Sequence, residues 1–134
     1  MDEKLRKARR VLAVQSLLDD LAKARLIDLR WRTTALEDQQ RSLHRFMSGE
    51  TDAIGMFSCT VARRLQILAK SLAVLAAEQE AQSSQRLEEC RRLRAARRTV
   101  STLEADIRSK DTLRHVAEVI EAALHREYSL RQAN

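Results

Sequence analysis

The side chains that could bind a metal or act as nucleophiles are few and lie far apart in this chain. The histidines are His44, His115 and His125, and the cysteines are Cys59 and Cys90. None of them stand at the spacings typical of zinc ligands. Because His115 and His125 are ten residues apart, they point to different faces of a helix. The pattern predicts no metal site and no cofactor.

Motifs for phosphate binding or catalysis are not indicated either. Both glycines, Gly49 and Gly55, fall within the stretch MSGETDAIG at residues 47–55, and the chain has no proline. The sequence holds neither GxxxxGK[ST] nor GxGxxG, the loops that cradle phosphates. A rod of two helices, which the composition and the apolar spacing of this chain predict, offers no concave, water-excluding pocket to activate a serine or a carboxylate. We therefore expect this protein not to be an enzyme.

The composition predicts helices, and the glycines divide them. Leucine, alanine, arginine and glutamate dominate, and only 3% of the residues are aromatic, which suits a narrow helical seam rather than a globular core. We expect an all-α fold, a long two-helix antiparallel coiled-coil hairpin forming one domain over residues 1–134. Its first arm spans about 2–48, its bend about 48–57 and its longer second arm about 58–131.

Apolar residues at spacings of three and four predict which positions form the seam between the arms. In the first arm they are Val11, Val14, Leu18 and Leu21, then, after a shift of one residue, Leu29, Leu36 and Leu43. In the second arm they are Val61, Leu65, Leu68, Leu72 and Leu75, then Leu93, Ala96, Val100, Leu103 and Ile107. Residues 78–86, EQEAQSSQR, interrupt this second pattern.

The bend carries residue types that end and begin helices. Gly49 directly follows Ser48 and suits a left-handed cap at the end of the first helix. Thr51 or Asp52 could cap the start of the second helix, and Ser58 is an alternative if Gly55 delays that start. A short connection makes the two helices antiparallel neighbours.

Folding the hairpin about residue 53 pairs residues whose numbers sum to about 106. This places the basic start of the chain opposite the octet RRLRAARR, residues 91–98. We expect a positively charged partner-binding surface formed by Arg6, Arg9, Arg10, Arg91, Arg94, Arg97 and Arg98. Asp19 and Asp20 would fall opposite Arg86 and could fix the register.

The second arm extends beyond the first by roughly 30 residues at this register. Its extension carries the apolar residues Leu113, Val116, Ile120 and Leu124. An apolar stripe with nothing to cover it is a binding surface or a homodimer seam. Alternatively, the helix breaks near Ser109, where SKDT could cap a third helix, and the segment folds back onto the hairpin.

Compartment and partner class follow from charge and hydropathy. No apolar run is long enough to span a membrane, and MDEKLRKARR has no secretory signal pattern, so we expect a cytoplasmic protein without membrane insertion. Cys59 and Cys90 would lie too far apart on one helix for a disulfide.

The charge pattern does not favour nucleic-acid binding. The net charge of +6 comes from basic residues interspersed with acidic ones, and a single tryptophan does not provide a platform on which bases stack. Nucleic acid is therefore not the expected partner.

The overall plan of the chain resembles the FliJ/YscO-type stalk proteins of type III export machines, flagellar or injectisome. The resemblance covers the arginine-rich start, the segment VLAVQSLLDDLAKARL, the mid-chain bend and the longer arginine-rich second arm. It implies a stalk that enters the pore of a hexameric export ATPase by its open end, Arg6–Arg10 and Arg91–Arg98, together with the extension of the second arm. It also implies contact with an export-gate protein. The alternatives are a generic coiled-coil adaptor or dimeric scaffold, and a basic coiled coil that binds nucleic acid.

Overall fold

Two helices make up the part of the chain that the structure describes. The structure is a computed structural model that describes residues 3–49 and 53–133, with side chains in the second helix described from Phe57 onward. Helix α1 spans Glu3–Ser48 and helix α2 spans Ala53–Ala133, 46 and 81 residues respectively. They pack against each other as a hairpin, and the described residues contain no strand. The predicted all-α hairpin with a longer second helix is confirmed.

The end of α1 is capped by its own last turn. The Ser48 hydroxyl donates to the carbonyl oxygens of His44 and Arg45 at 3.0 and 3.1 Å. The Gly49 amide donates to the carbonyls of Arg45 and Phe46 at 3.1 and 3.3 Å, so these C-terminal carbonyls are satisfied. The predicted left-handed conformation of Gly49 is wrong, because no described glycine has a positive φ. Gly49 simply continues the helical hydrogen bonding by one residue.

Helix α2 starts earlier than the predicted second arm. It begins at Ala53, so Ser58 lies inside the helix and is not its N-cap. A single glycine costs a helix only about 1 kcal/mol relative to alanine, which is too little for Gly55 to delay the start. Thr51 and Asp52, the other capping candidates, lie outside the described residues.

The seam on α1 is one unbroken heptad pattern, without the predicted shift. Its buried and half-buried positions alternate by three and four residues from Leu5 to Leu43: Leu5, Ala8, Leu12, Gln15, Asp19, Ala22, Leu26, Leu29, Thr33, Leu36, Gln40 and Leu43. The predicted positions Leu29, Leu36 and Leu43 are correct. Val11, Val14, Leu18 and Leu21 are exposed, so that part of the prediction is wrong. Helices that pack with a repeat of 3.5 residues per turn keep one face toward each other, and the buried positions follow that face whatever their chemistry.

The seam on α2 is equally continuous. It runs through Ser58, Val61, Leu65, Leu68, Leu72, Leu75, Gln79, Gln82, Arg86, Glu89, Leu93, Ala96, Val100, Leu103 and Ile107, again alternating by three and four. The apolar positions predicted from sequence all belong to it. Residues 78–86, which interrupt the apolar pattern, do not interrupt the seam but fill it with polar side chains.

Packing divides the chain into two compact units. Unit 1 comprises residues 1–14 and 93–134, and unit 2 comprises residues 15–92. The buried apolar residues of unit 1 are Leu5, Leu93, Ala96 and Val100, and those of unit 2 are Ala22, Leu26, Val61, Leu68 and Leu75. Leu68 is the most enclosed, with 1% of its surface exposed.

Helix α2 continues without interruption past Ser109, so the predicted alternative of a break and a third helix is wrong. Residues 108–133, called the overhang below, are helical and exposed at every position. Serine and threonine at 109 and 112 do not stop the helix, and the Thr112 hydroxyl donates back to the Arg108 carbonyl at 2.9 Å. Neither described helix has a segment long and apolar enough to cross a membrane.

Candidate interaction surfaces

Unit 1 carries a cluster of exposed arginines on both of its helical segments. Arg9 of α1 forms an ion pair with Glu104 of α2 at 3.3 Å. This contact places the start of α1 beside the segment that follows Val100, as the predicted hairpin requires. Six of the arginines predicted to form the positive surface belong to unit 1 and are exposed: Arg6, Arg9, Arg10, Arg94, Arg97 and Arg98.

Heptad geometry brings four of these arginines to one side of the seam. Taking Leu5 and Leu93 as position a, Arg6 and Arg94 occupy position b, while Arg9 and Arg97 occupy position e. In an antiparallel pair, the e positions of both helices flank the same edge of the seam, which agrees with the Arg9–Glu104 contact between two e residues. The side of unit 1 that carries positions b and e of both helices is therefore strongly basic.

The arginines of the octet differ in how they are neutralised. Arg91 and Arg92 belong to unit 2, where Glu88 lies 3.8 and 3.5 Å from their side-chain nitrogens. Arg94, Arg97 and Arg98 have no ion pair among the described residues. Exposed ion pairs within a helix contribute little to the free energy of folding. The guanidinium groups of Arg94, Arg97 and Arg98, which have no such pair among the described residues, can bind an acidic partner.

The overhang presents the four apolar residues predicted from sequence. Leu113, Val116, Ile120 and Leu124 are between 47% and 69% exposed. Continuing the α2 seam past Ile107 by three and four residues leads to Lys110, Arg114, Ala117 and Glu121, which are mostly charged. The seam therefore stops at Ile107, and the apolar residues beyond it have no partner within the described chain.

Further apolar side chains on α1 are exposed because they lie one or two positions away from the seam. In unit 1, Val11 and Val14 are exposed, and in unit 2 the same holds for Leu17, Leu18 and Leu21. Trp31, flanked by two arginines, is 73% exposed. Sequence reasoning placed Val11, Val14, Leu18 and Leu21 in the seam because it equated apolar with buried.

A buried polar layer in unit 2 was not predicted. The Gln15 amide donates both to the Glu89 carboxylate and to the Glu89 carbonyl oxygen, the latter at 3.2 Å. Gln85 and Arg92 also donate to the Glu89 carboxylate, at 2.8 and 3.3 Å. Gln15 and Glu89 are both less than a tenth exposed. Their hydrogen bond joins the two helices at one fixed register.

Neighbouring layers of unit 2 are also polar. The Gln79 amide donates to the Thr33 hydroxyl at 2.7 Å and to the Leu29 carbonyl at 3.3 Å, and Gln82 donates to the Ala22 carbonyl at 3.3 Å. The sequence places Thr33 at a seam position between Leu29 and Leu36, but it did not reveal Gln79 and Gln82. The signal for these two is the uninterrupted spacing of three and four residues through polar positions. Side-chain bonds to a facing backbone fix the register of a hairpin more tightly than apolar contacts do.

Asp19 lies in this seam but does not pair with Arg86, the arginine that the predicted register placed opposite it. One of its carboxylate oxygens lies 3.1 Å from the Lys23 ammonium group of the same helix. The other, Oδ1, is buried and has no hydrogen-bond partner among the described residues. The predicted pairing of Asp19 or Asp20 with Arg86 does not occur among the described ion pairs, where Asp19 pairs with Lys23 instead.

The cysteine, histidine and acidic side chains that could bind a metal do not come together in one site among the described residues. Cys59 is exposed and Cys90 half-buried, and both are free thiols. Within residues 3–49 and 53–133, no group of three or more histidine, cysteine or acidic side chains could hold a metal ion. The surfaces of interest are therefore the arginine cluster and the overhang, both in unit 1.

Comparison of the chain with protein-family models, with curated proteins and with solved structures gave no match.

Proposed function

We propose that this protein is a non-enzymatic interaction protein that couples a hexameric type III export ATPase to its export gate, as the resemblance to FliJ/YscO-type stalk proteins implies. In this proposal no chemistry takes place on the chain itself. The protein acts in the cytoplasm, and its partners are the ATPase ring and an export-gate protein.

The observation that carries the proposal is the arginine cluster of unit 1. Arg94, Arg97 and Arg98 are exposed and lack ion pairs among the described residues, and Arg6, Arg9 and Arg10 belong to the same unit. A concentrated positive field attracts an acidic surface and speeds its association. An acidic lining of an ATPase pore is the kind of surface that such a cluster fits.

The overhang supports the same proposal. Its apolar residues are exposed and are not covered by α1 within the described residues, and exposed stripes of this kind mark sites of protein association. Apolar contacts from Leu113, Val116, Ile120 and Leu124 would supply affinity, while the arginines would supply attraction and orientation.

A pull-down with a matched charge variant tests this proposal. The full chain is used as bait in nuclease-treated extract of its own source cell at moderate salt, and retained proteins are identified by mass spectrometry. We expect recovery of the hexameric export ATPase. The triple variant Arg94→Glu, Arg97→Glu, Arg98→Glu is expected to lose it, because repulsion replaces attraction at three adjacent positions.

The control is a second triple variant with the same change in net charge: Arg25→Glu, Arg30→Glu, Arg63→Glu. These three arginines are exposed and belong to unit 2. It should retain the ATPase. If neither the ATPase nor an export-gate protein is recovered, the proposal is wrong. Partners retained in a parallel extract without nuclease, but lost from the treated one, would instead indicate nucleic acid, whose affinity should also fall steeply with salt.

A further inference from the structure

We infer that the overhang pairs in antiparallel orientation with the overhang of a second copy of this chain, in a register where facing residue numbers sum to 237. This inference does not depend on the export-ATPase proposal. It rests on the exposure of every residue from 108 to 133 and on the self-complementary order of apolar and charged residues along that segment.

One face of the overhang, extended back to the exposed Asp106, has the spacing of a coiled-coil seam. Starting at Asp106 and alternating by four and three, it contains Asp106, Lys110, Leu113, Ala117, Ile120, Leu124, Glu127 and Arg131. The four central positions are apolar, and the two at each end are charged. Such a face buries its centre only when a second helix lies along it.

The apolar centre matches itself when the second helix runs in the opposite direction. In the register given above, Leu113 faces Leu124 of the second copy, and Ala117 faces Ile120. By symmetry each contact occurs twice. A small residue opposite a large one in both inner layers lets the two helices approach closely. At one edge of the seam, where paired residue numbers sum to 239, Val116 lies beside Ala123 of the second copy.

The charges at the ends of this face are also self-complementary. Lys110 faces Glu127 of the second copy, and Asp106 faces its Arg131. At the other edge of the seam, where paired residue numbers sum to 235, Arg114 lies beside Glu121 of the second copy. Each pair occurs twice by symmetry, and no like charges oppose each other in these layers. Opposite charges facing across a coiled coil set the orientation and register of its partner.

Parallel pairing lacks this complementarity. It would set Lys110 against Lys110 of the second copy and Glu127 against Glu127, both at seam positions. Like charges held close together in a seam are destabilising.

The outward face of the antiparallel pair is mostly polar. It consists of Arg108, Asp111, Thr112, His115, Glu118, Val119, Ala122, His125, Arg126 and Ser129.

The same overhang residues cannot contact a second copy and another protein at once. If the chain also binds an export ATPase through the overhang, the dimer and that complex exclude each other. Self-pairing would then cover the apolar face of the overhang in chains that are not engaged with the ring.

Charge reversal at one pair tests the inference. The molar mass of the full chain is measured by sedimentation equilibrium over a range of concentrations, and we expect a reversible dimer. Either Glu121→Arg or Arg114→Glu creates two repulsive contacts per dimer and should raise the dissociation constant about tenfold. The double variant Arg114→Glu, Glu121→Arg restores two attractive contacts and should return the constant to near its original value.

The matched control is Glu118→Arg, one helical turn away on the outward face, which should leave the dissociation constant unchanged. Circular dichroism at the same concentrations verifies that each variant is as helical as the original chain. A monomer at every concentration would overturn the inference. So would equal weakening by Glu118→Arg, or failure of the double variant to restore pairing.

Orientation is tested separately by the distance between spin labels. A label at Ser129→Cys, in a chain with Cys59→Ser and Cys90→Ser, lies beside residue 108 of the second copy in the antiparallel register. Two such labels would be about 30 Å apart along the helix axis, whereas parallel helices would bring them side by side. A short distance would exclude the antiparallel pair.

Discussion

At the scale of single residues, the polar layer of unit 2 determines how α1 and α2 align there. Gln15 and Glu89 are hydrogen-bonded inside the seam, and Gln85 and Arg92 also donate to the Glu89 carboxylate, so these buried polar groups are paired. The Asp19 Oδ1 atom is different, because it is buried without a hydrogen-bond partner among the described residues. An unsatisfied buried acceptor lowers stability by about 1–3 kcal/mol.

We therefore predict that Asp19→Leu raises the free energy of unfolding by about 1–3 kcal/mol, because it removes the unsatisfied oxygen and adds apolar surface to the seam. The measurement is urea unfolding followed by circular dichroism. The control is Asp20→Leu, since Asp20 is the adjacent, exposed aspartate, and it should change stability by less than about 0.5 kcal/mol. A loss of stability in Asp19→Leu would mean that the carboxylate has a partner in solution.

At the scale of the helices, the sequence predicts the elements better than it predicts their faces. Leu29, Leu36 and Leu43 were placed correctly because apolar residues occupy those seam positions. Val11 and Val14 were misplaced because the seam keeps one phase along α1, and that phase passes through Leu12 and Gln15 instead. The possible break near Ser109 could not be excluded from sequence, since serine and threonine are found both at caps and within helices.

Burial at the seam predicts a large difference between two identical substitutions. Leu68→Ala should lower the free energy of unfolding by about 2–5 kcal/mol, because Leu68 is 1% exposed and its removal leaves a cavity. Leu17→Ala, on the exposed side of α1 in the same unit, should change it by less than about 0.5 kcal/mol. Thermal and urea unfolding both measure the difference. Equal effects would mean that the seam follows another phase.

At the scale of the whole molecule, unit 1 holds both surfaces that we assign to partners. The six arginines belong to it, and so does the overhang. The arginine cluster follows from the predicted hairpin, since a fold about residue 53 brings the two basic segments together. The self-complementary face of the overhang could be derived only after the structure had shown that α2 continues to Ala133 without folding back.

The stoichiometry of the complex with the purified hexameric export ATPase tests the proposed function most directly. A stalk in the pore of a ring is a single copy, because the six-fold axis leaves room for one molecule, whereas an adaptor on the outer surface binds up to six equivalent sites. We predict one chain per hexamer by native mass spectrometry, with the complex lost in the variant Arg94→Glu, Arg97→Glu, Arg98→Glu. Six chains per hexamer, or no complex at all, would contradict the proposal.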